Sequence, residues 1–368
     1  MRILYIINAF AYAGAEKLVY NLALRLAERM EYIGIVALYA RGDRAEEEML
    51  EALHSAGIET RILAKRAGKD RLRSIREIYR FAKQRRIHML HAHCSVPMGL
   101  GKIVGKLINI PVVCTVHSVK GYAIERATSW MVKAYISIGE AVEAYMIKEL
   151  RIPERKISRI YNGVDVERFQ NAAECERFWE QYGGTSNERA ILNVARVSSP
   201  KNQRCILRAF RLMMQWGNTT AKLYILGAYD EEDAVYRGLA QYISENELAE
   251  RVVFLGQHNN VEDFLANAEC FVLTSRYEGF CVALLEAVVS GCPIVTTELP
   301  FVHELSSIAD FATVVPQDDA EELAKVLMEA RYQKQTERTV EAFSERFSLE
   351  RFADAHYDIY ARIQQKRK

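Results

Sequence analysis

Two carboxylates, Glu278 and Glu286, with seven residues between them, and a guanidinium and an ammonium, Arg196 and Lys201, with four between them, are suited to hold an oxygen-rich, charged ligand. A carboxylate accepts paired hydrogen bonds from a diol, and two cations closing on a diphosphate neutralise a leaving group as its bond to carbon breaks. The amides of Gly279, Phe280 and Cys281 add donors if a helix opens there, because helix amino termini favour phosphate and sugar oxygens. Together these are the needs of a nucleotide-sugar site.

Such groups work only if the chain places them. The apolar run 270–274 predicts a buried strand, 282–289 a helix between Gly279 and Gly291, and 293–297 a second strand. Glu278 then falls in the loop at the carboxyl end of a parallel strand, where open α/β sheets bind ligands, and Glu286 about two turns into the helix behind it. Strand 190–195, turn 196–202 and a helix from Gln203 place Arg196 and Lys201 equivalently. The same alternation runs through 1–8, 33–39, 57–63, 89–92, 111–116, 135–138, 157–161, 222–227, 252–256 and 311–315, with helical spacing between most of them. The class is α/β, and 368 residues are enough for two domains with separate cores.

Composition narrows the partners. Seven cysteines with no C-x-x-C pair imply free thiols in a reducing compartment, hence a cytoplasmic protein. The apolar run after Arg2 breaks at Asn8, too early for a secretory leader, and nothing approaches the length of a membrane span. Residues 1–168 hold 28 Lys+Arg against 18 Asp+Glu, and the remainder is acidic. Eleven of those cations lie in 61–86, where Leu72, Ile75, Tyr79 and Ala82 mark a helix stripe expected to pack on the sheet. Two readings stand for this segment: a solvated helix face, or a dock for an anionic membrane surface. No stacking aromatics accompany the cations, which argues against nucleic acid.

Other patterns fail on spacing. Gly99, Gly101 and Gly105 do not form a dinucleotide fingerprint, and neither Gly101-Lys102 nor Gly105-Lys106 is followed by the Ser or Thr of a phosphate loop. His88, His91 and His93 lack a further ligand at metal-site spacing, and the acidic pairs near Asp230 and Asp318 read as helix caps.

The Glu278 to Glu286 spacing resembles the Glu-x7-Glu motif of retaining glycosyltransferases of family four, and further segments resemble that family in the same order. Ala13-Gly14-Ala15-Glu16 is similar to its Gly-Gly-x-Glu turn, with only Gly14 retained. The strand end carrying His91 and His93, and Thr115-Val116-His117-Ser118, resemble its acceptor-facing histidine segments. Asn162-Gly163-Val164-Asp165 is similar to its junction turn, Arg196 and Lys201 to its Arg-x4-Lys pair, and Gly256-Gln257 to its base-binding loop.

The resemblance implies a GT-B fold, two doubly wound Rossmann-like domains facing across a cleft. An acceptor domain would cover 1–168 and a donor domain 169–348, with the helix over 349–368 packing back on the first. It implies a nucleotide-sugar donor, a UDP-sugar, held by Gly14, Arg196, Lys201, Gly256, Gln257, Glu278, Gly279, Phe280, Cys281 and Glu286. His91, His93 and His117 would face a saccharide or polyprenyl-linked acceptor. Transfer would retain configuration without a metal or other cofactor, with Glu278, His117, Arg196 and Lys201 as the catalytic set. Surface polysaccharide synthesis at the inner membrane face follows as the expected role. A sugar-nucleotide epimerase and a non-catalytic nucleotide-binding subunit are the rivals, the second favoured if Ala13 and Cys281, which depart from the family pattern, close the site.

Overall fold

In the computed structural model the near-continuous apolar runs become two parallel sheets, as strands covered on both faces should. Residues 1–12, 14–185, 187–217, 220–330 and 332–366 are described. The chain forms two compact units, Met1–Gly163 with Leu349–Lys368, and Val164–Ser348.

The first unit contains β1 (Arg2–Ile7), β2 (Tyr32–Ala37), β3 (Glu59–Ile62), β4 (Met89–His93), β5 (Val112–Val116), β6 (Ala134–Ser137) and β7 (Ile157–Arg159). Their order is β3-β2-β1-β4-β5-β6-β7, all parallel. The winding reverses between β1 and β4. The second unit contains β8 (Arg189–Val194), β9 (Ala221–Leu226), β10 (Val252–Gly256), β11 (Cys270–Leu273), β12 (Ile294–Thr297) and β13 (Thr313–Val315), ordered β10-β9-β8-β11-β12-β13. It reverses between β8 and β11. Both sheets are doubly wound, and a reversal point leaves a crevice beyond the strand ends.

The units divide at Gly163, five residues before the expected boundary at 168. Gly163 is pressed against the helix Leu349–Gln365: a Cβ there would lie 2.7 Å from Cβ of Phe352 and 3.1 Å from Cδ2 of Leu349. That helix belongs to the first unit, burying Phe352, His356, Ile359, Tyr360 and Ile363, with Glu350 and Asp354 paired to Arg25 and Arg29. Ser348 is extended at φ −61° and ψ 153°, and a separate helix, Glu337–Phe347, precedes it. Val164 N donates to Phe347 O at 2.7 Å, which holds this break in place.

A second correction concerns the basic helix Arg71–Gln84. It buries Ser74, Ile78, Phe81 and Ala82, while Leu72 is 84% exposed among Arg71, Arg73 and Arg76. Two apolar stripes overlap in this sequence, and packing selects the one centred on Ile78.

Candidate active site

The donor-side residues gather on the loops after β8 and β11, which flank the reversal of the second sheet. The β8 loop turns at Asn202, left-handed at φ 53°. Backbone and side-chain bonds then fasten it to the β11 loop. Arg276 N donates to Pro200 O at 2.8 Å and Thr274 Oγ1 to Asn202 O at 3.1 Å, while Asn202 Nδ2 donates to Asp318 Oδ1, just after β13, at 2.9 Å.

Within this frame Lys201 Nζ donates to Glu278 Oε1, which also accepts from Ser275 Oγ at 2.7 Å. Both side chains are largely withdrawn from water, at 23% and 12% exposure. Burial works to discharge Lys201, but Glu278, joined in the alkaline range by the Cys281 thiolate, outweighs it and raises its pKa above the ordinary lysine value. Arg196 is exposed, near enough to Lys201 for their like charges to repel, and its carbonyl accepts from Gln203 Nε2 at 3.1 Å.

Cys281 is buried, and that burial, reinforced by Glu278, pushes its thiol up to about 12. At neutral pH it is an uncharged wall beside the ion pair. The helix Val282–Val289 starts immediately after it and carries Glu286, 6% exposed. The ring of Phe280 packs against Phe301 and Phe347.

Arg168, which sequence reasoning missed, lies near Glu286. Burial opposes its charge, but the bond to Glu262 at 2.8 Å and the fields of Glu262 and Glu286 raise its pKa. Its only signal in sequence is a place in the first helix after Asp165, and only folding brings it to Glu286.

Gly256, at φ 74°, ends β10, and Gln257, exposed, follows it. Gly256 O accepts from Gly227 N at 2.8 Å, and a Cβ on Gly227 would lie 2.4 Å from Ala195 O and 2.8 Å from Arg196 N. With φ at 151°, that position excludes a side chain twice over. Gly227→Ala should therefore displace the Arg196 backbone, costing about 1–3 kcal/mol of stability and raising the donor KM. Melting temperature and donor titration would check this, and an unchanged KM would remove Gly227 from the site.

In the first unit Gly14 opens the helix Gly14–Leu26 with φ at 30° and open space around its Cα, at the end of β1 beside the reversal. Ala13 lies outside the described residues. The histidines are turned inward. His91 is bonded through Nδ1 to the Tyr360 hydroxyl at 2.7 Å and through Nε2 to the Thr115 hydroxyl at 2.8 Å, and is 0% exposed. It supports the core and presents nothing to an acceptor, contrary to expectation. His93 is buried too, joined through Nδ1 to His117 Nε2 at 3.0 Å, with its own Nε2 buried and unpartnered. His117 is only partly buried, so it is the member of the set with a surface.

Burial lowers all of these, His91 and His93 well below the usual histidine value and His117 to about 3, while His356, tilted against His91, falls to about 4. Among the described residues no three His, Cys, Asp or Glu are placed to hold a metal ion.

Two doubly wound sheets, with opposed charges at the reversal of one, are the parts of a GT-B protein. The family described as Glycosyltransferase Family 4 matches residues 12–168 and that described as Glycosyl transferases group 1 matches 188–330, so the chain belongs to the group 1, family 4 glycosyltransferases.

Among its relatives is UDP-Gal:alpha-D-GlcNAc-diphosphoundecaprenol alpha-1,3-galactosyltransferase of Escherichia coli, 26% identical over 62% of this chain and 62% of that one. Another is N-acetyl-alpha-D-glucosaminyl L-malate synthase of Bacillus anthracis, 23% identical over 76% of each. The galactosyltransferase is therefore matched over less than two thirds of its length. In structure the chain is similar to Anabaena HepE, solved with UDP and glucose, at a TM-score of 0.85, 17% identity and coverage of 98% of this chain and 99% of that one. It is also similar to sucrose-phosphate synthase of Thermosynechococcus elongatus, at 0.78, 15% and 100% of both.

Proposed function

We propose that this glycosyltransferase moves a sugar from a UDP-sugar to a saccharide carried on a polyprenyl diphosphate, with retained configuration, at the inner membrane face during surface polysaccharide assembly. The observation that carries the reading is the meeting of Lys201 and Glu278 on two loops that flank one sheet reversal. A lysine ammonium has three donors, so Lys201 can keep Glu278 while reaching a diphosphate oxygen, with Arg196 approaching from the exposed side. Glu278 and the amides of Gly279 to Cys281 take the sugar hydroxyls, and Glu286 the ribose diol.

As the anomeric carbon–oxygen bond to the diphosphate breaks, the acceptor hydroxyl attacks the same face and gives its proton to the departing phosphate. Arg196 and Lys201 carry the charge a metal would otherwise carry, so EDTA should leave the rate unchanged. Rate restored only by a divalent cation would remove that part. The donor and acceptor named for the Escherichia coli relative, UDP-Gal and a diphosphoundecaprenol-linked sugar, support the substrate classes. Seven free cysteines, five of them buried, fit a reducing compartment.

A thermal-shift panel of nucleotide sugars tests the donor. One present at a hundred times its Kd stabilises by about 2.7 kcal/mol. No shift with any nucleotide sugar would end the reading, and epimerised donor formed without acceptor would replace transfer with epimerisation.

A further inference from the structure

The carboxyl ends of β1 and β4 flank the reversal of the first sheet, so the crevice beyond them is where that unit would take a ligand. His93 closes β4, and His117 follows Val116 at the end of β5, the strand beside it. The two rings are inclined by only 30°, with centroids 5.3 Å apart, and are joined through His93 Nδ1 and His117 Nε2 at 3.0 Å. One of the two remaining nitrogens is sealed and the other is not. His93 Nε2 is buried without a partner, whereas His117 Nδ1, which has none among the described residues, belongs to a partly exposed ring.

These surroundings decide where the protons sit. Burial keeps both rings neutral, so each carries one N–H, and the bond between them joins one N–H to one bare nitrogen. Two arrangements satisfy that. In the first, His117 Nε2–H donates to a bare His93 Nδ1, which puts the His93 proton on Nε2, a buried donor with nothing to receive it. In the second, His93 Nδ1–H donates to a bare His117 Nε2, which leaves His93 Nε2 an unused lone pair and puts the His117 proton on Nδ1. A buried donor without an acceptor is rarer in folded chains than an acceptor left short of donors. The second arrangement therefore prevails.

The pair is also held still. The His93 ring lies 4.1 Å from that of His91, which is itself bonded to the Tyr360 and Thr115 hydroxyls. Helix Leu349–Gln365 supplies Tyr360 and also His356, whose ring is 5.8 Å from that of His91. His117 N donates to the Tyr122 hydroxyl at 3.3 Å, and Tyr122 is buried. His117 is thus fixed at both backbone and ring, and Nδ1 is its one ring nitrogen left for a ligand.

We infer that His93 is a positioning residue that sets the tautomer of His117, so that His117 presents its Nδ1–H to an oxygen of a saccharide in this crevice and serves as a hydrogen-bond donor rather than a base. The inference deepens the proposed transfer and rests on its reading of the crevice as a sugar site. It agrees with a mechanism in which the departing phosphate takes the acceptor proton, because a side-chain base has no task there.

The tautomers are read without any substrate, from proton–nitrogen correlation spectra of protein isotope-labelled at its histidine nitrogens. Signals of the two rings are assigned by their loss in His117→Asn and His93→Asn. Expected on both rings are a protonated Nδ1 and a bare Nε2, and a bare Nδ1 on His117 would overturn the inference. Kinetics test the consequence. An asparagine amide branches from the carbon that bears Nδ1 in histidine, so His93→Asn can still donate to His117 Nε2, and His93→Leu cannot. His93→Leu should lower kcat/KM for transfer about tenfold, the worth of one hydrogen bond, while His93→Asn stays within about threefold of the wild type. Equal losses in the two variants would mean that His93 only fills space, and would overturn the inference as well. Should the wild type transfer no sugar at all, the transfer reading fails, while the spectra still report whether His93 sets the tautomer.

Discussion

Lys201→Ala and Glu278→Ala should each lower kcat/KM for sugar transfer by at least about 30-fold, the equivalent of 2 kcal/mol of transition-state stabilisation. The cause differs between them. Lys201→Ala removes a cation that holds the diphosphate as negative charge grows on it, so kcat should fall more than the donor KM rises. Glu278→Ala removes an acceptor for sugar hydroxyls, so loss should appear in both terms. The two groups touch, and each single change leaves the other partly buried charge with a poorer partner. The double variant should then lose less than the sum of the singles, as groups acting as one unit do. Steady-state rates with saturating acceptor would read this, and wild-type turnover in both single variants would end the proposed mechanism.

Acidification should unfold the first unit well before ordinary carboxylate titration is complete. His91, His93, His117 and His356 lie together with ring centroids 4.1 to 5.8 Å apart between neighbours. The bond between His93 Nδ1 and His117 Nε2 needs one bare nitrogen, so the two rings cannot both be protonated and keep it. Burial holds all four neutral in the folded chain, with His356 at about 4, His117 at about 3 and the other two well below the usual 6.5.

In the unfolded chain they take protons from about 6.5 downward. The unfolded state therefore binds more protons between about 6.5 and 4, and stability falls with pH across that window by up to about 1.4 kcal/mol per pH unit for each histidine. By pH 5 four such groups remove up to about 8 kcal/mol, enough to unfold a domain in the lower half of the typical range of about 5–15 kcal/mol. Thermal melts from pH 7.5 to 4.5 should show a steep decline, made shallower by one proton in His356→Gln. A melting temperature that stays level down to pH 5 would refute the account.

What could be read beforehand followed from period and position. The strand over 270–274, the helix over 282–289 and the loop carrying Glu278 stand where apolar spacing placed them, because a buried parallel sheet writes itself as runs of β-branched residues between glycines. The basic helix shows where such reading ends. Leu72, Ile75, Tyr79 and Ala82 satisfy helical spacing as well as Ser74, Ile78 and Phe81 do, and only contact with the sheet chooses between them. The helix Glu337–Phe347 offers few apolar positions, Val340, Phe343 and Phe347 among charges, and escapes a pattern search.

Arg168 and the inward turn of His91 were illegible for a different reason. Arg168 meets Glu262 and the field of Glu286, and His91 meets Tyr360, all far away along the chain, and no local pattern encodes such a meeting.

The return of helix Leu349–Gln365 to the first unit sets an order of events at the ribosome. Tyr5 and His91 emerge early, yet the Tyr360 hydroxyl that each meets is made only after the whole of 164–348 has been synthesised. The intervening unit is uninterrupted and can close on itself as it emerges. The domain translated first is thus the last to be completed.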